Sequence, residues 1–168
     1  MEHPLLIKKI NSESQMMKDY SLNKSCSTYV EFETESPICF CCITLNEPKH
    51  NIYIMSDDSS EPEAVMGNSC LGICADHFFI HMDIPDFKYK LFDLKLYGLG
   101  LFYNDSTDCF YCINQTGFFS YDIKNKTESY KDVGDLILDW RWADKERNII
   151  EYSFDSSEFY SFNFLSMS

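Results

Sequence analysis

The eight cysteines and four histidines of this 168-residue chain are the side chains that chemistry would recruit first. Cys109-Phe110-Tyr111-Cys112 has C-x-x-C spacing, and Cys70 and Cys74 lie four apart, so zinc is the first chemistry to consider. A zinc knuckle places both thiolates on one tight turn. Phe110 and Tyr111 instead read as strand, where residues three apart point to opposite faces. His77 and His81 share one strand face but stand about 13 Å apart at ~3.3 Å rise per residue, too far to chelate one ion. Gly67-Asn68-Ser69-Cys70-Leu71-Gly72 approaches a G-x-S-x-G elbow with its second glycine one residue late. A thiol-dependent or zinc-assisted hydrolase centred on Cys70, with His77 or His81 as base, or on Cys109 and Cys112, is therefore the alternative reading. The favoured one assigns no catalytic residue, metal or cofactor.

An even cysteine count also suits a disulfide framework, but such frameworks belong mostly to short exported domains. Met1 to Ile10 offers only Leu5-Leu6-Ile7 ahead of two lysines, far short of a secretory h-region, and no stretch approaches a membrane span. Reduced cysteines in a cytoplasmic protein are the expectation. The sequence predicts one domain over residues 1–168, with 45% hydrophobic and 16% aromatic content for its core.

Carboxylates carry the strongest signal. The formal net charge is −13, and residues 31–86 hold eleven carboxylates against Lys49 alone. Such a one-sided field repels nucleic acid and anionic lipid and attracts cationic partners. Asp57, Asp58, Glu61 and Glu63 fall in a polar stretch without periodicity, read as a surface loop free of structural duty. Glu31 and Glu33 alternate with Val30 and Phe32, as on the outer face of a strand. These six acids are the candidate partner-binding residues. The acidic loop lacks the order of an EF-hand, there is no phosphate-cradling glycine loop, and the basic groove of a nucleic-acid binder is missing.

The elements that must position these acids follow from periodicity. Pro4, Leu6, Ile10, Glu13 and Met17 predict a helix over 4–20 ending near Asn23. Strands are predicted from Ser27, over Pro37–Leu45 as a centrally buried strand, over His50–Met55 as its hairpin partner, and over Asp76–Ile84. Residues 87–103 fit a bulged strand or two strands. Cys109–Asn114, Phe118–Ile123 and a third strand up to Tyr130 follow, and Ile149–Phe154 and Phe159–Leu165 close the chain. Between them Val133, Leu136, Ile137 and Trp140, at i, i+3, i+4 and i+7 after Asp132, predict a helix over 132–145. No repeat of fixed period is visible.

Gly117-Phe118-Phe119-Ser120-Tyr121-Asp122-Ile123, the polar hairpin after it, and the helix predicted through Trp140 resemble the tail of SUKH-type bacterial immunity proteins over about 25 residues. The same hairpin resembles one blade of a kelch propeller. The first resemblance implies a small acidic cytosolic protein that binds and blocks a toxin domain. The fold expected is α+β, mainly antiparallel sheet with an N-terminal helix and one helix near residues 132–145. The function expected is an acidic binding protein, an immunity protein that occludes the active site of a basic toxin such as a nuclease. A viral or eukaryotic adaptor domain is a further alternative.

Overall fold

The computed structural model describes residues 5–155 and 157–167. Among the described residues fifteen strands form four sheets, nearly all antiparallel, with one α-helix. Sheet I, in spatial order, holds β1 (Leu5–Ile10), β3 (Cys39–Leu45), β4 (His50–Ser56) and β2 (Ser27–Val30), the last pairing parallel with β4. Sheet II is the meander β5 (Glu63–Met66), β6 (Cys70–Ala75), β7 (Phe78–Asp83) and β8 (Tyr89–Asp93). Sheet III repeats it with β9 (Gly98–Asn104), β10 (Cys109–Asn114), β11 (Gly117–Asp122) and β12 (Thr127–Asp132). Sheet IV is β13 (Asp139–Asp144), β14 (Ile149–Ser153) and β15 (Tyr160–Asn163).

The sheets stack face to face in chain order, like the blades of a propeller. Ile43, Leu45, Ile52 and Ile54 of sheet I close on Leu71, Ile73, Ile80 and Met82 of sheet II. Phe79 and Phe92 of sheet II meet Phe110 and Phe119 of sheet III. Tyr111, Ile113 and Phe118 of sheet III meet Ile150 and Trp140 of sheet IV. Alternation along each strand makes this possible, since neighbouring residues feed opposite cores. Cys109 belongs to the third core and Cys112 to the second. The recurrence is one of shape, because loops of unequal length hide it from any fixed sequence period. At two interfaces an aromatic ring lies on a glycine of the neighbouring sheet. A Cβ on Gly72 would stand 2.6 Å from the Phe110 ring, and one on Gly100 would strike the Trp140 indole, whose Nε1 donates to Leu99 O at 3.1 Å.

Two helix expectations are corrected. Residues 5–10 form strand β1, and the helix, α1, spans only Glu13–Leu22, with Ser12 accepting from Gln15 N–H and the Asn23 N–H donating to Asp19 and Tyr20 carbonyls. Pro4 lies outside the described residues. Leu5 and Ile7 turn inward with period two onto sheet I, whereas the Leu6 of the helical pattern is 61% exposed. α1 covers the outer face of sheet I through Met16, against Cys42 and Tyr53.

The expected helix over 132–145 is absent: the chain turns and then runs as β13. Gly134 takes φ +82°, the Asp132 and Asp135 carboxylates accept from nearby backbone N–H groups, and Leu136 and Leu138 point outward. The backbone donors that a helix would use internally are taken by neighbours: Val133 N–H donates to Thr116 O and Ile137 N–H to Gln115 O. Trp140 and Trp142 face inward in alternation with Arg141, which pairs with Glu151 on the outer face at 2.7 Å. The SUKH-like tail thus lacks its helix here. A third difference is smaller: β2 stops at Val30, and residues 31–38 carry no strand. The strands expected over 39–56, 76–84 and 109–130 are present, and 87–103 divides into β8 and β9.

Among the described residues no helix is long and apolar enough to cross a membrane.

Candidate functional site

Both ends of the stack are defined by the direction of β7. The end at its start gathers the turn between β6 and β7, the loop after β4, the segment after β2 and the link from β8 to β9. These four connections enclose a cleft of about 640 Å3 lined by Phe32, Glu33, Glu35, Asp57, Asp76, His77, Phe78, Leu91, Asp93 and Tyr97. A second cleft of about 270 Å3 shares Asp76 and adds Asp58, Glu61 and Glu63. The two linings together hold eight carboxylates and no lysine or arginine. Lys9 of β1 reaches the loop after β4, where its Nζ donates to Ser59 O at 3.5 Å.

Asp76 organises the rim. It sits at the tip of the β6–β7 turn at φ 58°, a left-handed conformation that Asp tolerates better than most residues. Its side chain is 3% exposed. One carboxylate oxygen accepts from the Asp57 N–H at 3.1 Å and the other lies 3.1 Å from His77 Nδ1, while its own carbonyl accepts from Gly98 N–H. Asp57 continues the chain of contacts, accepting from Glu35 N–H at 2.7 Å and Ser36 N–H at 3.0 Å. A buried carboxylate is retained only where donors replace its water, and here the Asp57 N–H of the loop after β4 and the neighbouring His77 ring take that place. Asp57 is therefore a structural hub of the loop, contrary to its expected lack of structural duty.

Of the six acids singled out from sequence, Asp57 and Glu33 line the larger cleft, and Asp58, Glu61 and Glu63 the smaller. Glu31 lines neither. Its backbone N–H donates to the Tyr89 hydroxyl at 3.1 Å, tying sheet I to sheet II. Sequence reasoning missed Glu35, Asp76, Asp93 and Tyr97. Asp76-His77 between two alternating apolar runs was the available signal for Asp76, since Asp is a preferred turn residue. Asp93 and Glu35 reach the rim through tertiary structure alone.

Tyr97 reports the field. The residue is exposed, and its pKa is raised, first by Asp76 and further by partial desolvation and by Asp58 and Asp57. Proton loss there would add a negative charge to an already negative rim.

The cysteines present a different chemistry. All eight are unbonded; Cys39 and Cys41 approach to 3.5 Å between sulfurs. Burial pushes the Cys70 thiol up to about 11 and raises Cys109 and Cys112 as well, with Cys74 adding to the shift at Cys112. Nucleophilic thiols are shifted the other way, by cationic neighbours or helix N-termini. Cys109 and Cys112 face different cores, so one ion cannot take both. Among the described residues no group of three or more His, Cys, Asp or Glu side chains is placed to hold a metal ion.

No protein-family model matches the chain, and no curated protein matches it.

Proposed function

We propose that this chain is an acidic binding protein that captures a basic protein partner at the carboxylate-lined end of its sheet stack. In its most specific form it is an immunity protein, acting in the cytoplasm, that covers the active site of a cationic toxin such as a nuclease. The observation that supports this reading is the pair of adjoining clefts with eight carboxylates and no lysine or arginine in their linings. Carboxylates on loops fixed by Asp57 and Asp76 would stand in for the phosphates of the toxin's substrate, and occlusion would be steric. The field would steer encounter, giving fast capture that weakens with salt. The same field opposes nucleic acid and anionic membrane as partners.

The test is affinity capture from the native cell, run in parallel with the parent chain and with a Glu33→Gln, Glu61→Gln, Glu63→Gln variant. A basic protein retained by the parent, lost with the variant and eluted by salt is the expected result. An acidic or neutral partner that both baits retain equally at high salt overturns the reading. Where the captured protein is a toxin, expression of the parent rescues growth of cells making it, and rescue by the variant is weaker.

A further inference from the structure

At the opposite end of β7, far from the acidic clefts, the charge pattern inverts. A cleft of about 210 Å3 between sheets II and III is lined by His81, Asp83, Lys88, Tyr89, Lys90, Tyr121, Ile123 and Lys126. Three of the fourteen Lys and Arg residues in a chain of net charge −13 converge here against one carboxylate. His81 lies at its base. The residue is 6% exposed, and its Nε2 has no hydrogen-bond partner among the described residues, the one buried side-chain N or O atom so placed. An unpaired buried ring nitrogen is destabilising and calls for an explanation.

The strands hold these groups in register. His81 on β7 faces Lys90 on β8 as a direct cross-strand pair, which sets their side chains side by side. Across the interface the Tyr121 ring stands 4.9 Å from the His81 ring. Lys126 sits in the β11–β12 turn at φ 56°. The lysines are only loosely engaged elsewhere. Lys88 pairs with Asp86 at 2.6 Å on an exposed turn, Lys90 approaches Glu128 at 3.9 Å and lies over the Phe92 ring at 4.4 Å, and no ion pair is formed by Lys126 among the described residues. Burial lowers the His81 pKa, with Lys126 and Lys90 acting in the same direction and Asp83 and Asp108 opposing. Burial and the two lysines thus disfavour charge on the ring itself, and the lysines supply the positive charge of the cleft.

We propose that this cleft binds a phosphate group, with Lys90, Lys126 and Lys88 neutralising its charge above the His81 ring, whose Nε2 has no hydrogen-bond partner among the described residues. Lysine suits such a group as a mobile point charge, and several acceptor oxygens match several donors converging from different strands. The Tyr89 and Tyr121 rings form walls for the organic part of a phosphate monoester. Asp83 works against binding and limits it to ligands that reach the lysines.

The experiment follows the His81 ring by proton–nitrogen NMR in the full chain, titrated with sodium phosphate against sodium chloride at matched ionic strength. Phosphate is expected to shift His81 saturably and raise its pKa, because an adjacent anion favours the imidazolium. The exposed-residue variant Lys90→Gln, Lys126→Gln should bind at least tenfold more weakly, and Asp83→Asn several-fold more tightly, with melting temperatures unchanged. Phenyl phosphate is the second arm: tighter binding than inorganic phosphate identifies a monoester as the ligand, and equal affinity identifies free phosphate. A linear drift equal to that in chloride, or a saturable shift that survives the double lysine variant, overturns the site.

Discussion

The two ends of sheet II are built from the same meander and put to opposite electrostatic use. At the β6–β7 end, eight carboxylates line two clefts, and two of them, Asp76 and Asp57, accept backbone N–H groups from two connections, with the His77 ring beside Asp76. At the β7–β8 end, three lysines line a cleft with a histidine whose Nε2 has no hydrogen-bond partner among the described residues. Charge count alone would rank the first end as the site and ignore the second. Hydrogen-bond accounting shows a difference of kind: part of the acidic end holds loops in place, whereas the lysine end keeps an unpaired ring nitrogen. Net charge predicts which partners are attracted, and unmet hydrogen bonds predict where a small ligand sits.

The largest expected effect comes from the ring that both ends share. Phe110 is fully buried, rests on Gly72, and stands 5.5 Å from the Phe79 ring and 6.2 Å from the His81 ring. Phe110→Ala should cost about 3–5 kcal/mol in chemical denaturation, the usual range for a buried aromatic truncated to alanine. If the ends are mechanically separate, only the His81 resonance will move in this variant. Movement of both His81 and His77 resonances shows that the sheet II–III interface sets the geometry of both.

Next in size is Asp76. Removal of its carboxylate leaves the Asp57 N–H without its acceptor and puts alanine at φ 58°. Asp76→Ala should destabilise by about 2–3 kcal/mol, from one unsatisfied buried donor plus a left-handed residue that has lost its tolerance for that conformation. Asp76→Asn keeps both the acceptor and the conformational preference and should cost less than half as much. Equal losses for the two variants would mean that the charge and not the hydrogen bond is what the turn needs. In either case the His81 resonance stays in place, since the perturbation is confined to the far end of β7.

How much of this was legible depends on whether the decisive contacts were local. Strands 39–56, 76–84 and 109–130 follow from alternation, because each buries one or both faces against a neighbouring sheet and the pattern is written in the strand itself. The acidic loop was legible as acidic and exposed. Its internal order was not, since Asp57 is held by donors 21 and 22 residues earlier and by Asp76, 19 residues later. The helix template over Val133 to Trp140 failed for a related reason. Gly134 and the local side-chain hydrogen bonds of Asp132, Asp135 and Asp139 break it, and Trp140 lies instead on Gly100 of the neighbouring sheet. The stacked repetition of meanders is a property of space, visible only once Gly72 and Gly100 are seen under the rings of the next sheet.

A pH series separates the two ends without any ligand. His81 and His50 both have pKa values lowered from the ordinary 6.5 by burial. Below that value the unfolded chain binds protons that the folded chain refuses, so stability is complete above about pH 6.5 and declines as pH falls toward the folded values. Urea midpoints measured from about pH 8 down to about pH 5.5 should fall accordingly. His81→Phe should reduce the slope and His50→Phe reduce it further. A slope that both variants leave unchanged would show that neither histidine carries the decline.

The smallest effect on stability belongs to the acids that do nothing but face solvent. Glu33, Glu61 and Glu63 are exposed, and their carboxylates accept no hydrogen bond from the described residues, unlike Asp57 and Asp76 beside them. Exposed surface changes of this kind stay within about 0.5 kcal/mol each. The triple Gln variant should therefore melt with the parent, and removal of like-charge repulsion should even stabilise it slightly at low salt. Its association rate with oligolysine, a generic cation, should nevertheless drop several-fold at low ionic strength and converge with that of the parent at high salt, where the Debye length is ~3 Å at 1 M. Dissociation should change less than association. Rates that match the parent's at every salt concentration would move the source of the field to the hydrogen-bonded pair, Asp57 and Asp76, and leave the exposed rim as a solvated edge.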